Sequence, residues 1–267
     1  MSSRHLNTVS HWYGRLGNNI QQISNGIIFS LMNGDGFFTP PHDLIEKIII
    51  DANEKTMIRP SRFFHYNTHN KDFDIDVDYL YKNISKVAKK YIVPAFKFSI
   101  GESFREDTLV IHIRSGDIFA HEHNPPHDYV PNPLCYYLTL IEEYQKVIVV
   151  TEPDNYNPIV DELKKIDKVT IQSKSVEEDF ATLMRAKNIA SSGTGTFAVA
   201  AALCSSNVKK FYCTDIYLDE HLNPEMLMVT DNIEVHMMEL KNYIKYKTWK
   251  NNEDQRKFIL EYKNESI

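Results

Sequence analysis

Short apolar runs alternate with segments of helical periodicity from residue 108 to residue 213. The runs predict strands at 109–114, 146–151, 169–172, 188–192 and 209–213. The segments between them predict helices at about 133–145, 157–166, 176–187 and 195–206. This alternation is typical of parallel βαβ units, and the uniformly apolar run Val147 to Val150 is typical of a strand covered by helices on both faces. We therefore expect a Rossmann-like α/β domain with a parallel sheet over residues 106–230.

The first 105 residues carry a less regular pattern. It predicts strands at 8–12 and 47–50 and helices at 18–32 and 77–90, while the polar, aromatic segment 52–75 is predicted to be a surface loop. Together these elements predict a smaller N-terminal α/β domain over residues 1–105. The last segment, 231–267, has helical periodicity and high charge, so we expect a C-terminal helix that packs back on the body. The predicted fold class is thus α/β with two Rossmann-like halves.

Composition and charge narrow the function classes. The chain has 267 residues, a formal net charge of -6 and a pI near 6.0, which argues against a nucleic-acid binder that works through a broad basic field. Three cysteines show neither metal-ligand nor disulfide spacing, so we interpret them as reduced core residues. The sequence has no apolar leader and no window near the ~20 apolar residues of a membrane span, so we expect a cytoplasmic protein.

Three turns each follow a predicted strand and precede a predicted helix, where the carboxyl ends of strands form the ligand crevice of an open sheet. The first is the stretch GRLGNN at residues 14–19. Gly14 and Gly17 would let the backbone approach a ligand, and the amides that open the helix could bind an anion or sugar hydroxyls. A tight turn capped by Asn18 is the structural alternative.

The second turn ends the stretch LVIHIRSGDIF at residues 109–119. Arg114 carries a five-donor fork that suits phosphate oxygens, and Gly116 permits the turn. Asp117 could orient Arg114, cap the next segment or act as a base; an ion pair that only shapes the loop is the alternative. His112, which the strand alternation turns inward relative to Arg114, is predicted to be a hydrogen-bonded core histidine rather than a base.

The third turn is SSGTGTF at residues 191–197, which leads into a helix of small residues. Its hydroxyls and free amides at a helix N-terminus would form an anion site, with a hydroxyl-rich N-cap as the alternative. It is not a Walker P-loop, because no Gly-Lys-Ser/Thr follows. The alternating Asp74, Asp76 and Asp78 precede a predicted helix, so we interpret them as capping charge and not as a metal pair.

These motifs together resemble a known family. GRLGNNIQQISNGI is similar to the N-terminal motif of α-1,2-fucosyltransferases (glycosyltransferase family 11 type), IHIRSGD resembles their HxRxGD motif, and EEDFATLMRAKNIASSGTGTFAVAAALC resembles their later block. The resemblance spans roughly Trp12 to Asp215. It implies a GT-B-like fold with an acceptor-side domain at 1–105 and a nucleotide-sugar-binding domain at 106–230. It further implies an inverting transfer of sugar, L-fucose from GDP-fucose, to a glycan hydroxyl without a required metal.

The resemblance also implies roles for individual residues. Arg114 would bind the donor pyrophosphate, the hydroxyls of the third turn would contact the donor, and the first turn would face the crevice. Glu178 or Asp179 would position the nucleotide through its ribose or base. The donor-site candidates are Arg15, Gly17, Asn18, His112, Arg114, Glu178, Asp179, Ser192, Gly193, Thr194, Gly195, Thr196 and Phe197.

The predicted reaction has two candidate bases, since an acceptor hydroxyl must lose its proton as it attacks the anomeric carbon. Asp117 is the first candidate and His121 the second, with residues 121–129 as a plausible acceptor wall. Two departures from the family pattern leave the donor open: Ser115 stands where relatives often have a second Arg, and Gly193-Thr194-Gly195 replaces a bulkier turn. Another GDP-sugar or UDP-sugar donor, or a non-catalytic glycan- or nucleotide-binding relative, are the alternatives.

Overall fold

The computed structural model describes residues 5–51, 57–61, 76–120, 128–154, 156–230 and 232–264. They form two sheets with helices packed against them, which confirms the predicted α/β class with two halves built on parallel strands. In the N-terminal half the elements are β1 (His5–Val9), α1 (Leu16–Asn33), β2 (Gly36–Phe38), β3 (Ile49–Ile50), β4 (Met57–Ser61) and α2 (Val77–Val87). Helix α2 continues into a π-helical turn, Ala88–Ile92, and a short 3-10 turn, Val93–Ala95.

The N-terminal sheet has the order β3-β2-β1-β4, with β1 parallel to both of its neighbours and β3 antiparallel at the edge. Helix α1 connects β1 to β2 and ends at Gly34, whose φ of 68° permits the left-handed turn that closes the helix. Asp76 caps α2 by accepting a hydrogen bond from the Tyr79 amide. This contact confirms the capping role predicted for that aspartate.

The C-terminal half is a six-stranded, fully parallel sheet. Its elements are β5 (Thr108–Ile113), α3 (Leu134–Glu142), β6 (Lys146–Thr151), α4 (Pro158–Leu163), β7 (Val169–Gln172), α5 (Val176–Arg185), β8 (Asn188–Ala190), α6 (Phe197–Cys204), β9 (Lys210–Thr214), α7 (Glu225–Met228), β10 (Glu234–Met238) and α8 (Glu253–Glu261). The strand order is β10-β9-β8-β5-β6-β7. If β5 is numbered 1 and the later strands follow in chain order, the sheet reads 3-2-1-4-5-6 from the edge at β7. This is the strand order of doubly wound dinucleotide-binding sheets. The order reverses between β5 and β8.

One hydrophobic cluster runs through both halves. It contains Ile20, Ile23 and Ile27 of α1 together with the alanines of α6, which are completely buried. The small side chains of α6 let α1 and α5 pack close to it, because packed helices approach more closely where their contact residues are small. The two halves therefore share a core, and the crevice between them is held by packed helices.

Three expectations are corrected by the structure. Residues 57–61, expected to be loop, form β4, because they pair in parallel register with β1 at the edge of the small sheet. The first strand covers His5–Val9 instead of 8–12, so it ends well before the Gly-rich turn. The segment 231–267 is not helical throughout: β10 adds a strand beside β9, and helix appears only over Glu253–Glu261, packed on α3 and α4.

Candidate functional site

The three predicted turns come together at the carboxyl edge of the large sheet. Arg114 follows β5 directly, and the turn that begins at Ser191 follows β8. Because the strand order reverses between these two strands, the crevice opens between their ends. The Gly-rich turn of the N-terminal half faces the same crevice through the first turn of α1.

Helices α1 and α6 meet N-terminus to N-terminus across this crevice. The Thr196 hydroxyl donates a 2.7 Å hydrogen bond to Asn18 Oδ1. A Cβ atom on Gly17 would lie only 2.5 Å from that hydroxyl oxygen, so only glycine fits at this crossing. The N-cap residues are Arg15 and Thr196, and neither side chain caps its helix. Asn18 is therefore not the cap that the alternative interpretation required.

Helices α1 and α6 share the lack of a side-chain cap with α3 and α7, whose N-cap residue is a proline. Helices α2, α4, α5 and α8 each have an Asp, Asn or Ser side chain that accepts a bond from a first-turn amide. At α1 and α6 the first-turn amides have no such partner. Unfilled amides and the positive end of the helix dipole favour a bound anion or an acceptor oxygen.

Arg114 lies beside this helix junction in a cluster of charges. Its Nη2 donates to Asp117 Oδ1 at 2.7 Å, and its Nε lies 3.3 Å from Glu152 Oε1. Burial disfavours the charged guanidinium, but the carboxylates of Glu152 and Asp117 outweigh it and raise the pKa of Arg114. Arg15 joins from the other half, with Nη1 2.7 Å from Glu152 Oε1 and Nη2 3.5 Å from Asp117 Oδ1. Two guanidiniums from different halves therefore share two carboxylates.

Two acidic residues that follow β6 hold the turn after Arg114. The Ser115 amide donates to Glu152 Oε2 at 2.6 Å, and the Gly116 amide donates to Asp154 Oδ2 at 2.8 Å. The Ser115 hydroxyl also donates to Asp154. Ser115 is thus a structural partner of Asp154. Glu152 directly follows the predicted strand 146–151 and Asp154 lies two positions further, so the rule that points to Arg114 at a strand end points to these carboxylates as well.

His112 is a buried, neutral histidine. Burial, followed by the charges of Arg114 and Arg15, lowers its pKa to about 3. Its Nδ1 lies 3.3 Å from Ser192 Oγ, and its ring packs 5.1 Å from the ring of Phe197. The prediction of a hydrogen-bonded core histidine is confirmed, and the ring borders the crevice.

Residues 129–132 form hydrogen bonds with the third turn, residues 191–197. Tyr129 donates from its hydroxyl to the Ser192 carbonyl at 2.9 Å, and the Val130 amide donates to Thr194 Oγ1 at 2.9 Å. Gly193 has a φ of 85°, and a Cβ there would lie 2.4 Å from the Val130 carbonyl. The hydroxyl of Thr194 is therefore engaged inside the protein, while Gly195 and Thr196 face the crevice.

The two acidic candidates on helix α5, Glu178 and Asp179, have different environments. Asp179 is buried, and its carboxylate accepts from the Gln172 amide group at 2.7 Å and from the Lys174 backbone at 3.1 Å. Burial raises the pKa of Asp179. Glu178 is exposed in the first turn of α5, where Ser175 caps the helix by accepting from the Glu178 amide at 3.4 Å and donates from its hydroxyl to Glu178 Oε2 at 3.2 Å. Hydrogen bonding to Ser175, then the charge of Lys174, lowers the pKa of Glu178.

A cavity of about 530 Å³ gathers most of the predicted residues. Its volume lies within the ~300–1,000 Å³ range of ligand pockets. The predicted residues in its wall are Arg15, Gly17, Asn18, His112, Arg114, Asp117, Asp179, Gly195, Thr196 and Phe197, and residues missed by the prediction include Glu152, Pro153 and Lys174. Glu178 and Ser192 do not line it, and Gly193 and Thr194 line a neighbouring cavity instead.

Two predicted features fall partly outside the described residues. The acceptor wall at 121–129 is described only from residue 128, so His121 lies outside, and Asp74 of the predicted capping residues lies outside as well. Within the described ranges, no group of three His, Cys, Asp or Glu side chains is arranged to hold a metal ion. Cys204 and Cys213 are buried free thiols, as predicted, whereas the free thiol Cys135 is only half-buried and does not belong to the core. In the same ranges, every helix is too short or too polar to cross a membrane.

No protein-family model matches the chain, and neither does any curated protein. The structure is similar to the crystal structure of NodZ alpha-1,6-fucosyltransferase soaked with GDP-fucose, with a TM-score of 0.45, 11% identity, and coverage of 80% of this chain and 96% of that chain. It is also similar to POFUT1 in complex with GDP, with a TM-score of 0.42, 11% identity, and coverage of 79% and 98%.

Proposed function

We propose that this chain is an inverting glycosyltransferase that moves a sugar from a nucleotide diphosphate donor to a glycan hydroxyl without needing a metal. GDP-fucose is the proposed donor, on the strength of the GRLGNN and HIRSGD motifs and their resemblance to fucosyltransferases. The observation that carries the proposal is the meeting of two uncapped helix N-termini beside Arg114 at the switch point of the large sheet. Such a junction favours a diphosphate.

The charges at this junction suit a diphosphate leaving group. Arg114 can contact phosphate oxygens with more than one N–H, and Arg15 brings a second guanidinium from the opposite half. Both now share carboxylates, so an incoming diphosphate would compete with Glu152 and Asp117 for them. Cationic groups and amides that are already in place can stabilise the charge that develops on the leaving diphosphate.

The proposed step is a single displacement. The acceptor hydroxyl oxygen forms a bond to the anomeric carbon while the bond from that carbon to the phosphate oxygen breaks. The diphosphate leaves with the electron pair, and the hydroxyl proton passes to a base. Asp117 is the proposed base and His121 the second candidate. Arg114 contacts Oδ1 of Asp117, which would orient the carboxylate toward the crevice.

Binding of nucleotides tests the proposal first. Thermal unfolding should be measured with GDP, UDP, ADP and CDP in the presence of EDTA, because a ligand that binds only the native state raises its stability. A selective shift with GDP, followed by transfer or hydrolysis of GDP-fucose, would support the proposal. A shift with UDP alone would replace the donor, and no shift with any nucleotide would contradict the proposal.

A non-catalytic relative is the competing function. It is favoured by the observation that Arg114 and Arg15 both form ion pairs with Asp117 Oδ1, so that this oxygen is already engaged before any acceptor hydroxyl arrives. The proposed and the competing function are distinguished by mixing GDP-fucose with the chain and measuring the release of GDP. Binding without release, in the presence of a range of glycan acceptors, would favour the non-catalytic function.

A further inference from the structure

A second cavity shares Arg114 with the first as a lining residue. Its volume is about 250 Å³. Four residues line both cavities, namely Asn18, Arg114, Gly195 and Thr196. The two cavities are therefore neighbours that meet at the helix junction where the diphosphate is proposed to bind.

The sheet assigns each cavity to a different side of the switch point. The larger cavity is bordered by residues that follow β5, β6 and β7, such as Glu152 and Lys174. The smaller cavity is bordered by the turn after β8 and by residues 216–224, which follow β9. In doubly wound sheets a dinucleotide lies across the switch point, with its pyrophosphate at the crossing and one half of the ligand on each side. A nucleotide sugar has the same two-sided form.

The outer wall of the smaller cavity is fixed to the N-terminal half. The side-chain amide of Gln21, which is completely buried in α1, donates to the Glu220 carbonyl at 3.0 Å and accepts from the Leu222 amide at 3.2 Å. Asn223 donates to the Tyr81 hydroxyl at 3.1 Å. Residues 216–224 are thus held against two helices, so the cavity is present before any ligand binds.

Size and lining suit one sugar ring. The volume of about 250 Å³ is below the ~300–1,000 Å³ of pockets for drug-sized ligands. The cavity would therefore admit one monosaccharide but not a larger glycan. Aliphatic side chains and a proline form most of one wall, while Asn18, Asp128, Tyr129, Tyr217 and His221 supply polar and aromatic groups. Such a mixture binds the apolar and hydroxylated faces of a sugar. The aliphatic part of the wall comprises Ile118, Val199, Ile216, Leu218 and Leu222.

We propose that the smaller cavity is the subsite for the sugar of the donor, with residues 216–224 as its specificity wall. The inference rests on the proposed function, and it adds the place of the transferred ring and the segment that selects it. The larger cavity then holds the nucleoside, and Arg114 lies between the two at the diphosphate.

Filling each cavity separately tests this assignment. Leu218→Trp places a larger ring at the smaller cavity, and Val176→Trp does so at the larger one. Leu138→Trp, on an exposed position of α3 that lines neither cavity, is the control. Dissociation constants for GDP and for GDP-fucose are measured by titration calorimetry, and circular dichroism melting checks that each variant is folded. Leu218→Phe replaces Leu218→Trp if the larger ring prevents folding.

We expect Leu218→Trp to raise the Kd for GDP-fucose by at least about tenfold and to change the Kd for GDP by less than about twofold. Val176→Trp should raise the Kd for both ligands, and Leu138→Trp should change neither Kd. If the wild-type chain binds GDP but Leu218→Trp weakens both ligands equally or leaves GDP-fucose unchanged, the subsite is overturned while the proposed function stands. A wild-type chain that binds neither ligand would overturn the proposed function and the subsite with it.

Discussion

Replacing Gly17 with alanine should disturb the helix junction on which the proposed diphosphate site depends. The added Cβ would lie 2.5 Å from Thr196 Oγ1, 2.9 Å from the Thr196 carbonyl carbon and 3.0 Å from the Phe197 nitrogen. Ordinary contacts of a Cβ begin near 3.4 Å. Rotating the Thr196 side chain relieves only the first contact, so the backbone that opens α6 must move by several tenths of an ångström.

The cost can be worked out from these contacts. Overpacking of a well-packed position costs about 1–3 kcal/mol. Losing the hydrogen bond from Thr196 to Asn18 costs about 0.5–1.5 kcal/mol more, and the better helix propensity of alanine returns at most about 1 kcal/mol. The free energy of unfolding should therefore fall by roughly 1–3 kcal/mol. At about 2–4 °C per kcal/mol for a chain of this size, Tm should fall by roughly 2–12 °C.

The assay pairs this variant with Gly26→Ala in the same helix. A Cβ on Gly26 would lie 2.4 Å from Phe37 Cε2, so this variant is also overpacked, but within the N-terminal core and away from the crevice. Thermal unfolding gives Tm for both variants, and titration with GDP gives the affinity. We expect both to lose stability and only Gly17→Ala to weaken GDP, by about tenfold. Wild-type affinity in Gly17→Ala, or an equal loss in Gly26→Ala, would refute the reasoning.

Three further variants test the charge cluster and the buried histidine. Arg114→Ala should raise the Kd for GDP by about 10–150-fold, because charge-assisted hydrogen bonds contribute about 1.5–3 kcal/mol. The surface variant Arg105→Ala is the control and should leave this Kd unchanged. If Arg114→Ala binds GDP as tightly as the wild type, Arg114 is not part of the site. Glu152→Gln should lower the Kd for GDP, because it removes a carboxylate that competes with the diphosphate for Arg114. A higher Kd in titration calorimetry would contradict that competition. The pKa of His112 is about 3 in the folded chain and about 6.5 when unfolded, so the unfolded state binds the extra proton and stability falls as pH drops below about 6.5. From pH 7.5 to pH 5, denaturant unfolding should show the wild type losing about 2 kcal/mol more than His112→Gln, and equal losses would mean that His112 titrates normally.

Much of the fold follows from local patterns. The strands and helices of the C-terminal half lie close to their predicted positions, because apolar runs and helical periodicity mark buried strands and covering helices directly. The cap of α2 by Asp76 formed as predicted, since it needs only residues three positions apart. The N-terminal half was less predictable. Strand β4 is stabilised by pairing with β1, and no periodicity within residues 57–61 signals that pairing.

The site divides in the same way. Placing Arg114 at the crevice required only a strand, a turn and the rule that parallel strands bring their carboxyl ends to one edge. Which carboxylates meet that arginine depended on the strand order: β6 lies next to β5, and so Glu152 and Asp154 reach the turn at residues 114–117.

The sequence by itself determined the three turns, their order along the chain and the chemical character of each, because those depend on residue types over a few positions. Only the tertiary structure decided that Thr196 bonds to Asn18, 178 positions away, and that Gly17 must be glycine there. It alone also decided that Gln21 holds the segment after β9 to close a second cavity. These contacts join the two halves of the chain, and the free energy that selects them comes from burial and packing of surfaces that are distant in sequence, which no local pattern records.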